Sequence, residues 1–390
     1  MVPDFMLREI LSKGARKAKA APSRDGVGWG AVGSLPRKAF LILKSLLEAR
    51  LNSDEDTDEL IKDWICIFIL LIPKAKSPTT LNTWRPIAIC SVLQKVFLKL
   101  VVTLMQELSD PLEVEQYGFR PGRQTLEPVD IVRALLAKGS SWGLPFSFAK
   151  GDLFRAFDNI KHGSLQRSLE HRKVPSRLQL AIFRELSGST VTLDFQGQEY
   201  ADIPFHKGGR QGGSETPDLW NSVVNLGLFN AKQRWKSERL GIRLKLSESS
   251  SCFDGLTLTE SESFRAASFV EGDEYVVYGV FWADDAIIFG MDEVMCCRAW
   301  ESSRKNFGLL GWTGNLGVWS FWLRGLLRRR MVVRACGQRL DRSIWFPLSS
   351  VSFFLELSLT PRAAPLLWHV SGAARPGSTS GPARSSFAAG

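Results

Sequence analysis

Apolar runs broken by short polar turns punctuate this chain, and two spacings alternate along it. Leu35 to Leu51 places Phe40, Leu41, Leu43, Leu46, Leu47 and Leu51 close to the period of a helix that buries one face. Ile65 to Ile72 is instead a continuous apolar run ending at Pro73-Lys74, the pattern of a buried strand. Trp84 to Ile89 predicts its hairpin partner, so that Lys74 and Arg85 emerge near one another. Ser91 predicts the cap of a helix through Leu93, Val96, Phe97, Leu100 and Val101. Upstream of all this, residues 8 to 20 predict a basic helix and Ala21 to Gly30 a loop.

The middle of the chain alternates glycine-rich loops with strands and helices. Gln116 to Arg123 is a Gly/Pro loop carrying Arg120 and Arg123, followed by a helix from about Thr125 to Leu136. Two arginines on such a loop suit a phosphate backbone, and equally a solvent-facing loop. Phe146 to Leu153 alternates like a strand with Asp152 near its end, a costly place for a carboxylate unless it binds something. Thr190 to Phe195 and Glu199 to Phe205 predict a short hairpin. Gly208 to Ser214 is dense in glycine, which lets backbone approach a flat or anionic ligand, and Thr216-Pro217 starts a helix. Tyr275 to Val280 leads as a strand into Phe281-Trp282-Ala283-Asp284-Asp285-Ala286-Ile287-Ile288-Phe289, a hairpin with paired aspartates at its turn.

Composition narrows the partners. At 390 residues, 44% hydrophobic and 23% charged, the chain has the make-up of a globular protein, and a formal charge of +10 favours a polyanionic partner. The cysteines show no paired metal spacing and only four histidines occur, so metal chemistry here must use carboxylates. The charged N-terminus lacks a signal-peptide core, and the apolar run from Trp64 to Pro73 is too short to cross a bilayer. The expectation is a soluble, intracellular protein, nuclear or cytoplasmic, with no membrane partner.

Two adjacent carboxylates raise each other's pKa and resist joint ionisation, a conflict that a hard divalent cation resolves. Alone, an Asp-Asp pair is read as an ordinary turn. With Asp152 upstream, three carboxylates are available for metal.

Taken together, the ordered blocks resemble the reverse transcriptase domain of the non-LTR retrotransposon and group II intron type, over residues from about 15 to 310. Ile72-Pro73-Lys74 and Arg85-Pro86-Ile87 resemble the two fingertip strands, and Gly118-Phe119-Arg120-Pro121-Gly122 the template-side loop. Gly151-Asp152-Leu153 to Ala156-Phe157-Asp158 is similar to the first palm motif, Arg210-Gln211-Gly212 to the second, and Trp282-Ala283-Asp284-Asp285 to the third. The resemblance implies an α+β right-hand polymerase fold: fingers over 1–145, a palm of antiparallel sheet backed by helices over 146–311, and no recognisable thumb. Residues 312–390 read as an irregular tail with the composition of disordered or out-of-frame sequence. The implied activity is RNA-directed DNA synthesis, with dNTPs added to a DNA primer on an RNA template through two Mg2+ ions, or Mn2+ in their place. By the same resemblance, Asp152, Asp284 and Asp285 are the catalytic carboxylates, joined at the metal by the Leu153 carbonyl. Lys74, Arg85, Leu153, Phe157, Gln211 and Gly212 would hold the nucleotide, Phe157 lying under the sugar where a 2′-hydroxyl would collide. Arg120, Arg123, Arg210 and Trp282 would meet template and primer.

The sequence departs from the family pattern in places. Trp282 stands where Tyr or Phe is usual, Ser214-Glu215 replaces a common Pro and apolar residue, and the lysine that commonly follows Asn306 to Trp312 is missing. The alternative reading is a catalytically inactive, nucleic-acid-binding remnant of such an element.

Overall fold

Helices dominate the N-terminal part: α1 (Asp4–Ala15), α2 (Trp29–Gly33) and α3 (Arg37–Leu51). Pro3 and Pro36 stand just before α1 and α3, where a missing N–H interrupts no intrahelical bond. The computed structural model describes residues 2–17, 25–52, 64–74, 76–77, 80, 83–142, 146–152, 156–195, 197–245, 274–309, 315–322, 330–334 and 343–344. Next come β1 (Cys66–Pro73), β2 (Trp84–Ile89), α4 (Val92–Leu108), α5 (Leu126–Trp142) and β3 (Phe146–Asp152). The hydroxyl of Ser91 accepts from the Leu93 N–H at 3.2 Å, the cap predicted for α4. A 3-10 turn at Phe157–Asn159 leads to α6 (His162–His171), α7 (Ser176–Ser187), β4 (Thr190–Phe195), β5 (Gln198–Pro204) and α8 (Thr216–Ser237). The last elements are β6 (Ile242–Lys245), β7 (Glu274–Val277), β8 (Gly279–Trp282), β9 (Asp285–Gly290), α9 (Glu293–Leu309), β10 (Asn315–Trp322), β11 (Arg330–Arg334) and β12 (Ser343–Ile344).

Two larger sheets organise these strands. The first has the order β2-β1-β4-β5, with β1 antiparallel to β2, as predicted, and parallel to β4. The β4–β5 hairpin, from the middle of the sequence, therefore extends the sheet begun by residues 66–89. β1 is not the fully buried strand its apolar run predicts. Ile67 is wholly buried, whereas Leu70 and Ile72 remain 44% and 43% exposed. A continuous apolar run does not say whether one face or both are covered, and the buried cluster of Ile67, Ala88, Cys90 and Val191 forms on one side.

The second sheet has the order β12-β11-β10-β3-β9-β8, with antiparallel pairing throughout. Its strand β10 corrects the expectation of an irregular chain after residue 311, since Asn315–Trp322 pairs along β3 from Phe146 to Asp152. Trp, Arg and Gly obscure any strand period there, and β3 offers an open edge that an extended segment can pair with. β11 and β12 continue this sheet beyond β10, and the rest of the tail lies outside the described residues.

Helix α8 is the main support of the site. Trp220, Val223, Val224, Leu228, Ala231 and Trp235 are buried along it, and Pro217 sits in its first turn. Trp235 donates its indole N–H to the Ala299 carbonyl of α9 at 3.0 Å, tying the two helices together. Among the described residues no helix is long and apolar enough to cross a membrane.

Candidate active site

The β8–β9 hairpin closes through Ala283 and Asp284, with Trp282 opposite Asp285. Ala283 takes a φ of 53°. That left-handed conformation costs an L residue about 1–2 kcal/mol, and in two-residue hairpin turns it is usually supplied by Gly, Asn or Asp. The surroundings hold it in place. Trp220 of α8 donates its indole N–H to the Ala283 carbonyl at 3.0 Å, and the loop at 113–120 runs directly beneath the turn.

That loop pairs with β8 through backbone bonds. Phe281 donates to the Glu115 carbonyl and accepts from Tyr117, each at 2.8 Å. A Cβ on Gly118 would lie 2.3 Å from the Ala283 nitrogen, so only glycine fits between loop and turn. Polar residues of α8 lock the loop from the other side. The Asn221 side chain donates to the Gly118 carbonyl and its backbone carbonyl accepts from Gln116 Nε2, both at 3.0 Å, while Lys232 bonds Glu113 and Glu115 at 2.6 and 2.9 Å. Gly118→Ala is expected to push the Asp284 turn out of place, at about 1–3 kcal/mol in stability. Chemical denaturation checks it, and a variant with wild-type stability would contradict this packing.

Register brings the three aspartates to one end of the sheet. β3 and β9 pair so that Asp152 stands opposite Asp285, and Asp284 precedes it at the turn. Lys150, two residues before Asp152, places its ammonium 3.2 Å from Asp285 Oδ1. Asp284 as a residue is exposed, but its carboxyl group is partly enclosed. That enclosure raises its pKa above the usual aspartate range, and the adjacent Asp285 charge adds to the rise; a bond to its own backbone and the Lys150 charge oppose it. The carbonyl of Leu153 lies outside the described residues, as does the side chain of Asp152.

Phe157 sits between Phe119, with ring centroids 5.9 Å apart, and Trp220, at 5.4 Å. One indole thus touches both the proposed sugar wall and the aspartate turn. The Gly209 N–H donates to the Phe157 carbonyl at 2.8 Å, and Gln211 Nε2 donates to Asp158 Oδ1 at 2.7 Å. Gly212, at φ 114°, lies against β2, where a Cβ would come 2.6 Å from the Ala88 carbonyl. The density of glycine in this loop therefore serves close contacts within the protein, a reason the sequence does not display.

The arginines divide. Arg210, expected to face template, is fully buried: its Nε donates to Glu215 Oε1 at 2.7 Å and its Nη1 to Ser189 Oγ at 3.2 Å. A guanidinium enclosed and paired in this way offers nothing to a nucleic acid in this conformation. Arg120 turns Nη1 back to the carbonyls of Glu113 and Gln116, both at 2.9 Å, and so braces its own loop. Arg123 pairs with Glu127 at 2.8 Å and lies over the Tyr117 ring, still partly exposed. Lys74 and Arg85 are exposed at the β1–β2 tip. The Lys74 N–H bonds the Thr83 carbonyl at 2.8 Å, and Arg85 is opposite Ile72. Trp282 is partly exposed beside the turn.

The residues that sequence reasoning passed over, Trp220, Asn221, Asn225 and Lys232, share a helix. Asn225, whose Oδ1 accepts from the Glu113 N–H at 2.7 Å, follows Asn221 by one helical turn. Two amides four apart, with Lys232 two turns further on, are the signal in the sequence that α8 grips something polar.

Helices packed around an antiparallel sheet with paired aspartates on the hairpin at its edge make this a right-hand polymerase fold. The chain belongs to the reverse transcriptase (RNA-dependent DNA polymerase) family, which matches residues 72–302, more than half of its length. Its similarities fall in the non-LTR branch. It is 26% identical over 163 residues to the retrovirus-related Pol polyprotein from type-1 retrotransposable element R2 of Popillia japonica, covering 42% of this chain and 23% of that protein. It is also 26% identical over 209 residues to the RNA-directed DNA polymerase from mobile element jockey of Drosophila melanogaster, covering 52% of this chain and 22% of that one. The chain thus spans under a quarter of the length of each of these relatives. Among solved structures, an apo telomerase from Candida tropicalis aligns with 68% of this chain and 53% of its own, at a TM-score of 0.40 and 12% identity, too distant to carry weight.

Proposed function

We propose that this chain is the polymerase portion of a retrotransposon-like element and extends a DNA primer on an RNA template with dNTPs. The observation that carries this reading is the register of the palm sheet, which brings Asp152 opposite Asp285 beside the Asp284 turn. The donor set fits hard divalent ions. It consists of carboxylate oxygens, with the Asp284 pKa raised by enclosure and by the neighbouring Asp285 charge and a lysine ammonium already drawn to Asp285. Two Mg2+ ions, or Mn2+, would supply Lewis-acid stabilisation of charge at the primer hydroxyl and the departing pyrophosphate. Asp152 and Asp284 would hold them, assisted by Asp285 and the Leu153 carbonyl.

The chain's own residues do the rest by position. Lys74 and Arg85 at the β1–β2 tip draw the triphosphate, where charge-assisted bonds are stronger than neutral ones. Gln211, fixed by Asp158, and Gly212, seated on β2, form the wall on which the base rests. Arg123 and Trp282 face template and primer, and Arg120 keeps their loop in shape. Residues 1–145, with the β4–β5 hairpin, act as fingers and 146–311 as palm, in a nuclear or cytoplasmic setting.

Primer extension on an RNA template with Mg2+ and dNTPs tests this reading, and a folded protein that extends nothing would defeat it. Phe157 is held from two sides by Phe119 and Trp220, so it cannot swing away from a 2′-hydroxyl. Phe157→Ala should therefore raise rNTP use relative to dNTP about 10- to 100-fold. Single-nucleotide incorporation with matched rNTP and dNTP measures the ratio; unchanged selection would place the sugar wall elsewhere.

A further inference from the structure

We infer that Lys150 is a tethered counter-ion that occupies the cation's place in the metal-free palm and competes with metal for it. This rests on the reading of Asp152, Asp284 and Asp285 as metal ligands. The placement follows from strand geometry. Lys150 pairs with Ile287 across β3 and β9, so Asp285 is its diagonal neighbour, within reach of a long side chain. Lys150 stands two positions before Asp152 on β3. The ammonium lies 3.2 Å from Asp285 Oδ1 and its charge also acts on Asp284.

Charge at this end of the sheet requires such a partner. Asp284 and Asp285 adjoin where Ala283 is already held in a left-handed turn, the backbone of Asp152 pairs opposite, and one lysine is drawn in to offset part of the charge. A divalent ion entering the carboxylate cluster meets a positive charge it must displace. Lys150 therefore keeps the carboxylates in register before metal arrives and sets the concentration at which metal takes over. A residue that merely supported the site would have the opposite effect, because its removal would weaken metal binding.

Mn2+ binding by the whole chain, followed by electron paramagnetic resonance and by the shift in melting temperature, distinguishes these roles without any turnover. Lys150→Met is expected to bind Mn2+ about tenfold more tightly, one unit charge acting at short range in partly solvated surroundings. It should also melt lower than wild type without metal and gain more on adding it. Lys150→Arg, which keeps the charge, should bind as wild type does, and Lys150→Gln, neutral but polar, repeats the test should the Met variant fold poorly. Neutral variants that bind Mn2+ as weakly as wild type, or more weakly, overturn the inference alone. A wild-type chain that binds no Mn2+, or binds it equally well after Asp284→Asn, overturns the metal reading and this inference with it.

Discussion

Asp284→Asn is expected to lower primer extension by about a thousandfold or more while leaving the fold intact, because charge stabilisation of this kind is among the largest contributions to catalysis. The amide keeps the shape of the side chain and removes one of the crowded charges, so nothing in the turn need move. The backbone contacts that fix the hairpin, from Phe281 to Glu115 and Tyr117, do not involve this carboxylate. A second signature separates lost chemistry from lost structure. Folding raises the Asp284 pKa, so the native chain holds that proton more tightly than the unfolded one. Between the ordinary aspartate range and the raised value, the metal-free protein therefore loses stability as pH climbs, and the Asn variant should show a flatter dependence. Denaturation across that acidic window, paired with extension assays at neutral pH, checks both. Substantial residual extension would move catalysis away from this turn.

Arg210→Ala should have the opposite profile, a collapse of stability in place of a specific loss of nucleic-acid binding. Arg210 and Glu215 are both fully buried and bonded at 2.7 Å. Removing one partner strands a charge in the interior, at about 3–5 kcal/mol. The damage would spread, since Thr216 Oγ1 bonds the Arg210 carbonyl at the start of α8, and α8 carries Trp220 and Asn221 to the Asp284 turn and the loop beneath it. Urea denaturation measures the loss. Unchanged stability with weakened hybrid binding would return Arg210 to the template surface.

The contrast between these two residues shows how much of the site was legible. Asp284 and Asp285 stand out because apolar runs on either side force a hairpin, and a hairpin turn has only a few residues in which to place its charges. Asp152 is legible for the same reason, at the end of an alternating strand. Arg210 sits in a loop, where sequence carries no period and a guanidinium can turn out to phosphate or in to a carboxylate. Only the position of Glu215, five residues on, settles which. The glycines are similar: Gly118 and Gly212 read as loop residues, and what each is pressed against, the Ala283 nitrogen or the Ala88 carbonyl, comes from segments far away in the chain.

The sequence by itself determined the hairpins at 66–89 and 279–290, the cap at Ser91 and the positions of the three aspartates, since each depends on period or turn chemistry within a few residues. Tertiary structure alone decided that β4–β5 joins the sheet of β1–β2, that β10 pairs with β3, that Arg210 is internal, and that Lys150 reaches Asp285. These depend on which distant segments meet, and a local pattern carries no record of the register between strands that the chain separates by more than a hundred residues.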